Sequence, residues 1–97
     1  MRKRKYYIRL STGALKRVKG YVLASVGVHR IGRQWYATHL PTGCYFGYCG
    51  ERPDTLLARA VMAADKEPFF IRALVYVGDG KGKYIEENGA LMQEMRG

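Results

Sequence analysis

Cations and aromatic rings alternate through the first half of the chain. Arg4-Lys5-Tyr6-Tyr7, Lys16-Arg17 and Lys19-Gly20-Tyr21 are followed by Arg30, Arg33 and Trp35-Tyr36. This pairing of residue types suits nucleic acid, because cations hold phosphates while rings stack on bases or line a groove. The charge is lopsided as well as large. Of a net +9, residues 1–50 hold ten basic side chains (Arg2, Lys3, Arg4, Lys5, Arg9, Lys16, Arg17, Lys19, Arg30 and Arg33) and no carboxylate. The remaining residues are close to balanced. Fifty residues without an acid point that half at something anionic.

Other chemistry is weaker in the residues. His29, His39, Cys44 and Cys49 are possible zinc ligands. Their spacing lacks the close cysteine pair of structural zinc sites, so no metal and no cofactor are expected. Gly78-Asp-Gly-Lys-Gly-Lys83 lacks the four-residue spacer and the Ser or Thr of a phosphate loop, and reads as a hairpin turn. Glu86 and Glu87 are adjacent, so on a strand they point apart, and Asp54 starts a helix, where capping explains it. No nucleophile, base and acid fall into a catalytic spacing, so a non-enzymatic role is expected. Cys44 and Cys49 are five apart, which sends them to opposite faces of one strand and disfavours a bridge.

The elements that position these residues follow from periodicity and turn chemistry. The 97 residues suffice for one domain, with residues 1–5 as a basic arm. Lys5–Leu10 reads as a strand, and Ser11-Thr-Gly13 as a turn. Ala14–Lys19 reads as a short returning strand bracketed by Gly13 and Gly20. Val22, Ala24, Val26 and Val28 alternate, so Tyr21–Arg30 reads as one strand bent at Gly27, its second half being the strand Val26–Ile31. Trp35–Leu40 and Cys44–Tyr48 form a hairpin closed by Pro41-Thr42-Gly43. Asp54–Lys66 is a helix: Leu56, Leu57, Ala60, Val61, Ala63 and Ala64 share one arc, Pro53 precedes it, and Glu67-Pro68 ends it.

Beyond it, Pro68–Val77 reads as a buried strand, Gly78–Gly82 as a turn and Lys83–Glu87 as a strand pairing back. Asn88-Gly89 is a hairpin signal, while Ala90–Arg96 has strong helix formers, so the tail reads as a last strand or a short helix, with the strand favoured. The expected fold is α+β: an antiparallel β-sheet of about five to seven strands with one helix (54–66) packed across it.

The order of Gly27-Val28, Arg30, Trp35-Tyr36-Ala37, Gly43, Tyr45-Phe46-Gly47 and an alanine-rich helix resembles that of AP2-type DNA-binding domains. The match covers residues 26–66. In that family a three-stranded antiparallel sheet packs on one helix and its outer face enters the DNA major groove. The resemblance implies that Arg30, Trp35 and Tyr45 lie at or near DNA. The chain departs from the pattern in three places. The Val28–Trp35 segment is one residue short, Thr38 and Leu40 replace an acidic and basic pair, and Gly50–Pro53 is an insertion. These departures bear on base readout more than on fold.

The expected function is nucleic-acid binding without catalysis, with double-stranded DNA favoured over RNA. The alternative is a phage or mobile-element inhibitor that occupies the DNA-binding site of a nuclease or ribonucleoprotein complex, in the manner of anti-CRISPR proteins. Residues 1–20 do not read as a signal peptide and no run reaches membrane length, so a cytoplasmic protein with no membrane partner is expected. A sheet edge at Lys5–Leu10 or at the C-terminus could join two copies, so monomer and dimer both fit.

Overall fold

The computed structural model describes residues 2–66 and 84–96. Five strands, β1 (Arg4–Arg9), β2 (Leu15–Leu23), β3 (Val26–Ile31), β4 (Gln34–His39) and β5 (Cys44–Gly50), are followed by helices α1 (Pro53–Lys66) and α2 (Glu86–Arg96). The strands pair antiparallel in chain order, as an all-hairpin sheet. The α+β class holds, with helix packed on antiparallel sheet.

Most expected elements are present and two differ. β2 does not stop at Gly20 but runs on to Leu23, and it turns into β3 at Ala24-Ser25. Leu23 pairs with Val26, so Tyr21–Arg30 is a hairpin rather than one strand bent at Gly27. Ala24 takes a φ of 52° there, the one left-handed non-glycine backbone among the described residues. Gly32 heads the β3–β4 turn with a φ of 64°, the geometry a two-residue hairpin needs at its first turn position. β5 bulges opposite Ala37, where Gly47 has a φ of 93°.

The second difference is α2. Within the strand expected at Lys83–Glu87, residues 84 and 85 are not in a strand and Glu86 opens a helix, and over 90–96 that helix takes the place of the favoured strand, as the short-helix alternative had it. Glu86 and Glu87 complement the positive N-terminal end of the helix, and the Ala90–Glu94 run consists of strong helix formers. Asn88-Gly89 lies inside its first turn, with Gly89 donating to the Ile85 carbonyl. The expected strand Pro68–Val77 and turn Gly78–Gly82 lie outside the described residues.

Two cores hold the elements. In the first, Val26, Val28 and Ala37 of the sheet meet Leu56, Leu57 and Ala60 of α1, with Trp35, Tyr21 and Tyr48 packed around them. A fully buried leucine or valine contributes about 1.5–3 kcal/mol, so Leu56 and Leu57 anchor α1 more firmly than its own propensity could. Ala60 lets the helix sit close on the strands.

The second core lies on the opposite side of the sheet. There Tyr6 and Leu40 meet Leu91 of α2, with Ile8, Val18, Val22, Met92 and Met95 beside them. The β1–β2 hairpin therefore folds over the sheet face that α1 does not cover. Tyr6 rests on Gly27, where any Cβ would come within 2.7 Å of its ring.

The curl nearly closes. The Arg9 N–H donates to the Gly43 carbonyl at 2.8 Å, joining the end of β1 to the β4–β5 turn. Asn88 fills the remaining gap. Its Oδ1 accepts from the Tyr7 N–H, and its Nδ2 donates to the carbonyls of Tyr7 and Leu40, each at 2.8 Å. The β1 edge, one of the two edges expected to be open for pairing, is thus occupied at Tyr7 and Arg9 from within the chain.

Candidate nucleic-acid interface

Register decides which cations share a face, because directly opposed residues project the same way. Lys5 stands opposite Lys19, and Tyr7 opposite Arg17. These four lie on the outer face of the β1–β2 hairpin. Along β2 the same face continues through Arg17, Lys19 and Tyr21 by simple alternation. Lys3 adds to it, with Nζ 5.9 Å from the centroid of the Tyr21 ring. Tyr21 stacks on Trp35, centroids 5.5 Å apart and planes 29° apart. Trp35 stands opposite Arg30. One strip thus runs from Arg17 through Lys19, Lys5 and Lys3 to Tyr21, Trp35 and Arg30, alongside α1.

The rings hold the strip in shape. Trp35 and Tyr21 are half-buried against the α1 core, so each presents part of its ring while the rest is clamped. The Arg30 Nε donates to the Gly32 carbonyl at 2.7 Å, which steadies the guanidinium beside the β3–β4 turn. Arg59 of α1 lies 5.9 Å from the Tyr48 ring and repeats the cation-on-ring theme at the other margin of the helix.

The remaining expected site residues are distributed elsewhere. Arg2 precedes β1 and is exposed, and Arg33 is exposed at the β3–β4 turn. Arg4 faces inward and forms an ion pair with Glu94 of α2. Arg9 spends its guanidinium on the carbonyls of Thr42 and Gly13, at 3.1 and 3.2 Å, and so braces two turns. Lys16 stands opposite Ile8 on the inner face. Tyr45 pairs with Thr38 and meets the Tyr36 ring, which puts it on the side of the sheet away from Trp35. The three residues that the AP2 resemblance implies at DNA therefore divide between two faces: Arg30 and Trp35 on the helix side, Tyr45 on the other. Tyr21 belongs to the cation–ring pattern of the sequence as Lys19-Gly20-Tyr21, though not to the expected site residues. That it shares a face with Arg17 and Lys19 follows from their i, i+2, i+4 spacing once β2 is known to continue past Gly20.

The histidines and cysteines do not gather. His39 is buried, with Nδ1 2.9 Å from the Thr42 hydroxyl. His29 is buried on the inner face near Tyr6. Cys44 stands opposite His39 and Cys49 opposite Tyr36, and they form no disulfide. Among the described residues no three metal-ligating side chains come together. No described helix is long and apolar enough to cross a membrane.

Burial pulls the His39 imidazolium from its ordinary 6.5 down to about 4. The unfolded chain therefore takes up this proton at a higher pH than the folded chain does. Stability should be undiminished above the unfolded value and fall as pH drops from 6.5 toward 4, by about 3 kcal/mol in all. His29, lowered by burial and then by the Lys16 charge, acts in the same direction. Urea unfolding at pH 7 and pH 4.5 measures the difference, and His39→Gln should shrink it. Equal stability at both values would show that neither ring is held neutral.

No family model matches the chain, and neither a curated protein nor a solved structure matches it. The functional reading therefore rests on the surface itself.

Proposed function

We propose that the chain is a non-catalytic nucleic-acid-binding protein that grips the phosphate backbone along the outer strip of the β1–β2 hairpin. One observation carries this reading. Lys5 and Lys19 are placed directly opposite each other, with Arg17 and Lys3 on the same face, in a half-chain that contains no carboxylate. Like charges in opposed strand positions destabilise a sheet. A neighbouring glutamate would relieve that repulsion, and among the described residues none forms an ion pair with Lys5, Arg17 or Lys19. A polyanion relieves it from outside. The flanking Tyr21–Trp35 stack supplies apolar, ring-bearing surface next to the cations, which suits sugar and base edges once the phosphates are held. DNA is the favoured polymer.

Counterion release supplies the test. Fluorescence anisotropy with duplex DNA, single-stranded DNA and RNA across a salt series should give a linear fall of log K with log salt. The combined variant Lys5→Ala, Arg17→Ala, Lys19→Ala should make the slope on duplex DNA shallower by about 0.9 for each phosphate that the variant no longer neutralises. All three side chains are exposed, so the variant should keep the parent fold. A slope unchanged in the variant would remove the strip as the binding surface. Weak binding that is equal for every polymer and vanishes at physiological salt would direct the charge to a protein or ribonucleoprotein surface, as the inhibitor alternative requires.

A further inference from the structure

β2 serves two partners in succession. Its first part, Leu15–Gly20, pairs with β1, and only Tyr21–Leu23 pair with β3. The β2–β3 hairpin therefore opens beyond Gly20, and His29, Arg30 and Ile31 of β3 are paired with β4 but not with β2. A groove of about 440 Å³ lies in the opening. Lys16, Val18 and Lys19 form one wall, and His29, Arg30 and Ile31 the other. An adjoining cleft of about 190 Å³ shares Ile8, His29 and Ile31 with it and ends on Tyr36 and Tyr45. Those two rings meet edge to face at 5.7 Å. The combined groove is cationic at the Lys16, Lys19 and Arg30 end, aliphatic along its middle, and aromatic at the other end, where Arg9 also lines it.

His29, in the middle of it, supplies an independent observation. The residue is 7% exposed, and its Nε2 is the one buried side-chain nitrogen or oxygen among the described residues with no hydrogen-bond partner. Buried polar groups in native proteins almost always have a partner, so this one calls for an occupant. Burial keeps the Tyr6 phenol protonated, and its oxygen lies 3.5 Å from His29 Nδ1. A phenol that donates to Nδ1 leaves the hydrogen of the neutral ring on Nε2, and one that accepts from Nδ1–H leaves a lone pair there. In either tautomer Nε2 is a polar atom awaiting a partner. It is shielded from water, so a partner reaches it only when a groove side chain moves aside.

We propose that this groove holds one unpaired nucleotide of a bound nucleic acid, its base on Ile31 and the Tyr36–Tyr45 pair, a polar base edge at His29 Nε2, and its phosphate at Lys16, Lys19 and Arg30. The inference rests on the proposed backbone grip, because Lys19 and Arg30 belong both to the outer strip and to the groove wall. A strand following the strip passes the groove mouth. A base inside a duplex cannot enter without leaving its stack, so the preferred ligand is single-stranded or carries an unpaired nucleotide.

The test uses the full chain with four probes: adenosine 5′-monophosphate, inorganic phosphate, an adenine-containing single-stranded oligomer and a blunt duplex of equal length. Ile31 and Tyr45 are 59% and 48% exposed, so Ile31→Glu and Tyr45→Ala should fold normally. The nucleotide should move the His29 Nε2 resonance in NMR spectra, and phosphate alone should not. Tyr45→Ala should weaken the single-stranded oligomer about tenfold, and Ile31→Glu at least as much, with smaller losses on the duplex. Three results would overturn the proposal. In the first, the nucleotide and phosphate perturb the same residues equally. In the second, both variants bind the oligomer as the parent does; the backbone grip then survives if its salt slope persists. In the third, an oligoglutamate peptide fills the groove and excludes the nucleotide, which would assign it to an acidic protein segment. Failure of every polymer to bind the parent at low salt would sink the backbone grip itself, and this inference with it.

Discussion

Replacing Asn88 with alanine should destabilise the fold by about 4 kcal/mol, a large share of what a domain of this size has to lose. Asn88 is fully buried and makes three hydrogen bonds, using both amide hydrogens and its carbonyl oxygen. Two go to the N–H and C=O of Tyr7, as a neighbouring strand residue would provide. The third reaches Leu40, after β4. Alanine leaves the Tyr7 N–H and two carbonyls without their partners, the Leu40 carbonyl in a fully buried place and the Tyr7 groups in a partly buried one. Each unsatisfied group costs about 1–3 kcal/mol, with carbonyls at the low end. Asn88→Asp should be at least as damaging, since a carboxylate keeps the acceptor, loses both donors and faces two carbonyl oxygens. Arg4→Ala removes a partly exposed ion pair with Glu94 and should cost no more than about 1 kcal/mol. Urea unfolding of the three variants separates these cases. An Asn88→Ala loss below that of Arg4→Ala would mean that the β1 edge does not depend on the amide.

Asn88 also shows where the sequence was legible and where it was not. Asn-Gly between β-capable segments is a strong short-range hairpin signal. Here it sits in a helix, because the amide of Asn88 satisfies Tyr7, 81 residues away. No local pattern carries that information. The central hairpins were readable, since Gly32 and Gly43 take the positive φ values their turns need and the strands between them are rich in β-branched and aromatic residues. α1 was readable because its small residues and leucines recur at helical spacing and its ends are punctuated by proline. The candidate surface was readable as a composition but not as a surface. Which cations share a face depends on register, and the register of Lys5 against Lys19 was not expressed locally. Arg4 and Arg9 look identical to Lys5 in sequence, yet one bridges to α2 and the other braces two turns.

Gly20 joins the fold to the proposed groove, and Gly20→Ala should cost about 4 kcal/mol or abolish folding at 25 °C. The reason is steric rather than conformational. A Cβ at this position would lie 1.9 Å from the Val28 carbonyl oxygen and 2.9 Å from its carbon. Backbone cannot rotate aside as a side chain would. Val28 cannot retreat either, since it is fully buried, pairs with Ala37 and packs beneath α1. The strain would have to be relieved by moving β2, which carries Lys19 and Tyr21 on either side of the crossing. Gly27→Ala makes a useful comparison, because its Cβ would meet the Tyr6 ring at 2.7 Å, and a ring can shift where a carbonyl cannot. Gly27→Ala should therefore be the milder of the two. Thermal and urea unfolding measure both. If Gly20→Ala folds within about 1 kcal/mol of the parent, the close crossing of β2 over β3 is not a fixed feature of the molecule. The separation of Lys16 and Lys19 from Arg30 across the groove would then lose its structural basis, because only at this crossing does β2 leave one partner for the next.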